Sequence, residues 1–242
     1  MIFDDLKDKH RKLIDRMIAN PQGKKAVNAS SKLHWVQTSH GMESGELSTE
    51  DVRGILMDRS VRSGTIEDHI MIKNYGVMLT FLYNSLDVKD KTDVALLKKC
   101  DEILCRDERE EIPEEIMRKK VTIIPGVNII PVTPQDIPAS LERMFQKYYA
   151  KRRDMDPVMR ACYIHNEIFR IYPFEKNSEG VARAMLNFEL LAANLPPIPF
   201  VMERTEYHEA IRSHIKKEDI LPFYEMIVRI LDERLMQLLE ML

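Results

Sequence analysis

The stretch Ile168 to Pro197, IFRIYPFEKNSEGVARAMLNFELLAANLPP, constrains the chain more than any other. An apolar helix runs into Tyr172-Pro173 and stops there, because proline drives the residue before it out of the helical region. After a short polar loop a second apolar helix begins, with Val181, Met185, Phe188 and Leu191 on the face turned to a core. Ser178 and Glu179 stand where caps of that helix belong. The loop from Glu175 to Gly180 therefore delivers free helix-terminal amides, an arrangement that attracts phosphate or carboxylate.

The other elements are predicted from periodicity and punctuation. Ile2, Leu6, Leu13, Met17 and Ile18 recur at helical spacing until Asn20-Pro21-Gln22-Gly23 interrupts them, and a second helix is expected from about Lys25 to Thr38. Ser48 with Asp51, and Thr65 with Asp68, read as N-caps followed by an acid, each opening a helix. A further helix covers about Thr92 to Cys105, and the charged run CRDEREEIPEEIMRKK reads as a solvated helix end and loop. Val121 to Ile124, Pro125-Gly126 and Val127 to Val132 give the one β signal, a hairpin over 120–132. Thr133-Pro134 and Asp156-Pro157 each place a cap before proline, predicting helices from Pro134 to about Ala150 and from Pro157 to Ile171. His165, on the second of these, reads as a hydrogen-bonded structural histidine. The last helix, about Asp219 to Leu242, carries an apolar stripe that reads as internal core and leaves a homodimer contact open.

The chain has 242 residues, 44% hydrophobic and 31% charged, enough to bury a sizeable core. Its net charge of −3 is made of interspersed signs and offers no basic face for nucleic acid. No apolar run approaches the roughly 20 residues of a membrane span, and the N-terminus has no signal-peptide core, so a cytoplasmic protein is expected. Cys100, Cys105 and Cys162 lack the spacing of a zinc site or a disulfide framework and read as packed thiols. No metal is expected.

The segment YPFEKNSEGVAR resembles the signature HPFx(D/E)GNGRxxR of the Fic (Fido) family, with Tyr172, Pro173, Phe174 and Arg183 in register. The resemblance extends over roughly 31–210. It implies an all-α fold with one β-hairpin flap at 120–132, a motif at 172–183, an N-terminal helical extension over 1–30 and a C-terminal helical part over 211–242. Helix IEDHIMIKNYGVMLTFLYNSL is similar to the family helix with an ExxNY-like stretch. Ser39 to Glu43, in the segment 39–45, resembles the family's inhibitory (S/T)xxxE motif, in which the Glu pairs with the second motif Arg; here those residues are Glu43 and Arg183. RTEYHEAI resembles a helix near the nucleotide base, which makes Tyr207 a pocket aromatic.

Family members with the whole motif transfer AMP or a related group to a target hydroxyl. In this chain Tyr172 replaces the His base, Lys176 the Mg2+-holding acid, Asn177-Ser178-Glu179 the phosphate-cradling GNG, and Gly180 the first Arg. A phenol of pKa about 10 abstracts few protons near neutrality, and an ammonium cannot ligate Mg2+. The charges of Glu175, Lys176, Glu179 and Arg183 sum to zero, so the positive field that phosphoryl transfer relies on is gone. The expectation is a degenerate protein without Mg2+ or ATP, which binds a protein or small ligand at the motif pocket and the flap. The pocket candidates are Asn177, Gly180, Arg183 and Tyr207. A divergent enzyme using Tyr172, Lys176 or Ser178 in new roles, or weak residual nucleotidyl transfer, is the alternative.

Overall fold

The computed structural model describes residues 2–45, 47–87, 92–106 and 117–242. Among the described residues lie α1 (Ile2–Ala19), α2 (Pro21–Gly41), α3 (Thr49–Leu56), α4 (Ile66–Asp87) and α5 (Val94–Leu104). A 3-10 turn (Pro134–Asp136) then leads into α6 (Ile137–Lys151), α7 (Pro157–Ile171), α8 (Ser178–Ala192), α9 (Arg204–Lys217) and α10 (Leu221–Glu240). The all-α class expected from the sequence is what forms.

Helix α8 is the centre. Apart from Glu179, every residue from 178 to 190 is buried, the polar Arg183, Asn187 and Glu189 among them. α7 packs along it most extensively, α4 and α5 cover another side, and α9 and α10 lie against α7. α1 packs on α10, and α2 on α4.

Helix boundaries follow local chemistry. Asp156 caps α7 by accepting from the Met159 amide at 2.9 Å, Pro157 occupies the first turn, and the helix spans the residues the sequence predicts. α2 starts earlier than expected. Asn20-Pro21 does end α1, but the Asn20 side chain also accepts from the Gly23 amide at 2.9 Å, so the same pair opens α2 directly. Ser48 and Thr65 accept from the amides of Asp51 and Asp68 at 3.1 Å each, as caps should. Most of the charged run after Cys105, residues 107–116, lies outside the described residues.

The hairpin expected at 120–132 does not form. A single bridge joins Ile124 to Ile129 around a tight turn, with Gly126 and Asn128 at φ of 71° and 56°. No ladder extends from it. Pro125 and Pro131 lack amide donors, and Val121, Ile123 and Ile130 stand 65%, 58% and 65% exposed instead of facing a partner strand.

What fixes this segment is an arginine. The Arg118 amide donates to Pro173 O at 2.9 Å, and its buried guanidinium donates to Tyr172 O at 2.6 Å, Lys120 O at 2.9 Å and Val132 O. One side chain thus ties both ends of the 120–132 loop to the end of α7. Arg118→Met removes those donors and leaves several carbonyls unsatisfied, and is expected to cost about 2–4 kcal/mol of stability, read as a lower urea midpoint at unchanged slope.

Candidate functional site

The loop between α7 and α8 begins with strain. Tyr172 is the C-cap of α7 at φ 49°, ψ 63°, a left-handed conformation unfavourable for a bulky residue. Its amide donates to Ile168 O at 2.7 Å, its carbonyl accepts from Arg118, and its phenol lies 3.3 Å from Glu179 Oε1 as a donor. Burial first, then the Glu179 carboxylate, pushes the phenol well above the ordinary tyrosine range. Tyr172 is placed as a hydrogen-bond donor to Glu179.

Ser178 points inward. Its hydroxyl accepts from the Phe174 amide at 2.8 Å and donates to Phe174 O at 2.9 Å, fully buried. The cap role expected for it is replaced by this closure of the loop onto itself. Asn177, expected in the pocket, donates instead to Asp101 Oδ1 at 3.3 Å and Cys105 Sγ at 2.9 Å, anchoring the loop to the end of α5. Lys176 lies exposed at the loop tip.

The centre of the site is Arg183. Its side chain is 0% exposed, one helical turn beyond the start of α8. Its Nη2 donates to Glu43 Oε1, and its Nη1 lies 3.9 Å from Glu179 Oε2. Tyr75, buried on α4, donates to the same Glu43 oxygen at 2.5 Å. Burial disfavours the charge on Arg183, and the oxygens of Tyr75, Glu43, Tyr207 and Glu179 more than offset it, so the group is held above its usual pKa. Glu43 and Arg183, 140 residues apart, are therefore brought together, as the resemblance implies.

The turn that carries Glu43 is clamped from both sides. Asp68, in the first turn of α4, accepts from Ser44 Oγ at 2.6 Å and faces His40 Nε2 at 2.9 Å. Hydrogen bonds from Ser44 and the Thr65 amide, against an opposing desolvation, hold its carboxyl far below the usual range. Arg204 donates to Gly41 O at 2.7 Å. Ser39, expected as part of this segment, is fully buried, and its hydroxyl has no hydrogen-bond partner. His40 and Ser44 are the residues that hold the turn.

Gly180 is tight for a reason outside the loop. A Cβ there would lie 2.8 Å from both Glu43 Oε1 and Tyr75 OH. The space of the first motif Arg is filled. Tyr207 packs inside the core. It is fully buried, and its hydroxyl meets His165 Nε2 at 2.8 Å. His165 is likewise enclosed, bonded through Nδ1 to Asn166 at 2.8 Å and stacked on Phe223, and burial lowers its pKa to about 3. It is the structural histidine expected.

Sequence reasoning misses Asp68, Tyr75 and Arg118 as site-building residues. Thr65 and Asp68 carry the signal of a helix cap, and nothing local tells that the acid also reaches the turn before α3. No cluster of His, Cys, Asp or Glu able to hold a metal ion occurs among the described residues. No described helix is long and apolar enough to cross a membrane.

Comparison with known proteins shows what the chain is similar to. Residues 91–190 match the Fic/DOC family model. The matched segment is Fic-like. It is similar to a protein named protein adenylyltransferase Fic from Culex quinquefasciatus, 25% identical over 224 residues. The match takes in 91% of this chain but only 44% of that relative's length. Among solved structures, a Fic-domain signaling protein from Bacteroides thetaiotaomicron superposes with a TM-score of 0.81 at 18% identity, covering 96% of each chain. Fic-1 from C. elegans superposes at 0.78 with 16% identity, covering 100% of this chain and 71% of that one. These likenesses fix the fold.

Two outcomes test the site. Glu43→Gly strands a buried guanidinium and is expected to cost about 3 kcal/mol, with Arg183→Ala also destabilising and the double variant well short of additive; urea melts of the four proteins check it. Glu179 titrates above its ordinary 4.5 because burial, then Glu43, outweighs the pull of Arg183. A carboxyl with a raised folded pKa favours folding below the unfolded pKa and loses that advantage as pH rises. Glu179→Gln should therefore raise Tm at about pH 7 and show no gain at about pH 4.

Proposed function

We propose that this protein, Fic-like in fold, does not carry out metal-dependent AMP transfer and acts by binding a protein segment at the 120–132 loop and the motif loop. The observation that carries the reading is the filled space at Gly180, where a methyl group on the backbone would lie 2.8 Å from both Glu43 Oε1 and Tyr75 OH. A phosphate at this helix end would have to displace both. The remaining basic group of the motif helix, Arg183, already has Glu43 and Glu179 beside it.

The groups a divergent enzyme would need are committed elsewhere. The Tyr172 phenol is a poor acid and a poorer base, and the Ser178 hydroxyl closes on the Phe174 backbone. Lys176 stands where the family pattern has its metal-holding acid, and an ammonium offers Mg2+ no oxygen. A binding role, by contrast, has a surface to use. Val121, Ile123 and Ile130 are exposed on a loop whose backbone is held by Arg118 at Lys120 and Val132, by Arg212 at Gly126 and Val127, and by the Ile124 to Ile129 bridge, with no ladder beyond that bridge. Such a segment can take an extended peptide by main-chain pairing with apolar side chains between.

Labelled ATP with Mg2+ is expected to give no incorporation into this protein or into lysate proteins, from wild type or Glu43→Gly. Incorporation by wild type that Arg183→Ala abolishes would restore the enzyme reading. A partner captured by wild type should be lost with Ile130→Asp, whose side chain is exposed, and kept with Lys176→Ala; the reverse pattern would move the binding surface to the loop tip.

A further inference from the structure

Helix α10 carries a buried positive charge with no counter-ion among the described residues. Arg234 is 3% exposed. Its Nη1 donates to Gln237 Oε1 at 3.2 Å and its Nη2 to Ser31 Oγ at 3.2 Å, both neutral, while Nε has no hydrogen-bond partner. No described carboxylate pairs with it, and burial alone draws its pKa down. A guanidinium removed from water onto neutral partners is costly, and cores seldom keep one without a use.

Arg234 borders a cavity of about 900 Å3 between α2, α10 and the segment that follows Pro199. His34, Gln37 and Arg204 add polar side chains to its wall, Phe200 and Met202 apolar ones, and Glu203 its one acid. Burial, followed by Arg234 and Arg53, lowers the pKa of His34, which leaves a neutral imidazole able to donate. The cavity is separate from the motif helix. Phe200 stands between them, its ring centroid 5.9 Å from the Arg183 guanidinium carbon. Gly41, Met42 and Ser44 give the cavity a wall on the back of the Glu43 turn.

We propose that this cavity binds a small organic anion, a carboxylate or phosphate group on an apolar body, with the anionic group on Arg234 and the body against Phe200 and Met202. The volume suits a ligand of that size, and two arginines against one glutamate give it the matching charge. Arg234 contributes a charged donor that either head group can accept, its Nε being without a hydrogen-bond partner and Nη1 and Nη2 held only by neutral groups. The assignment is independent of the motif's lost chemistry.

Titration with phenyl phosphate, benzoate and, as the neutral control, phenol tests it, followed by calorimetry and by the emission of Trp35. That is the single tryptophan, buried and next to His34. Saturable binding of one or both anions is expected, and which of them binds tells phosphate from carboxylate as the natural head group. Arg234→Met should weaken it at least about tenfold. It should also raise the anion-free Tm, because a buried unpaired charge is replaced by an apolar chain of similar length. Arg204→Gln, at an exposed position, should weaken binding less and serves if Arg234→Met does not fold. Phenol binding as well as the anions, no saturable binding of either anion, or affinity unchanged in both variants would overturn the proposal.

Discussion

A guanidinium in the middle of a helix that is buried nearly all round can exist only if oxygens come to it. Arg183 draws them from three places: Glu43 from the turn after α2, Tyr75 from the middle of α4, and Glu179 from the preceding turn of α8 itself. Desolvating an ion is expensive, and close partners recover that cost only in good geometry, so the positions of α2 and α4 against α8 are set by one charge. The clamp on the turn follows from the same need. Asp68 and Arg204 hold the main chain and neighbours of Glu43 so that its carboxylate stays where Arg183 requires it.

This internal pairing and the altered motif are one arrangement. With glycine at 180, Glu43 and Tyr75 sit up against the backbone, and a Cβ there would force both side-chain ends to shift. Restoring an arginine at Gly180 alone would drive it into Tyr75, while removing Glu43 alone would leave Arg183 short of charge. Each residue is explicable only with the others in place. The arginine of this helix thus faces a carboxylate of its own chain.

Much of this is legible in the sequence, and what is legible is local. Asp156-Pro157 sets the start of α7, Pro173 its end, and the apolar face of Val181, Met185 and Phe188 the placement of α8 in the core, because caps, prolines and periodicity act within a few residues. The pairing of Glu43 with Arg183 is reached only through resemblance to a family. Spacing cannot reveal it across 140 residues. Asp68 reads from the sequence as a cap alone because its second role is a tertiary contact. The hairpin is over-read for a related reason: β-branched residues around Pro-Gly fit a strand, but strand formation needs a ladder, and Pro125, Pro131 and the Arg118 bonds direct these carbonyls elsewhere.

The loop geometry itself is costly, and the contacts that offset the cost show what it is for. A left-handed Tyr172 persists only where its surroundings over-determine it, and here Arg118 takes its carbonyl, Ile168 its amide and Glu179 its hydroxyl. The Arg118 side chain that holds this carbonyl also holds Val132 O and Lys120 O, so the strained cap and the exposed 120–132 loop form one mechanical unit. In an enzyme such strain would position a reacting group. The Tyr172 phenol is instead held protonated by burial and Glu179. What the strain does secure is the position of an exposed apolar loop tied to the motif loop, with its carbonyls at Lys120, Gly126, Val127 and Val132 held by Arg118 and Arg212. A surface fixed that firmly loses little entropy when an extended segment pairs with it, which is the condition a binding site on a loop has to meet.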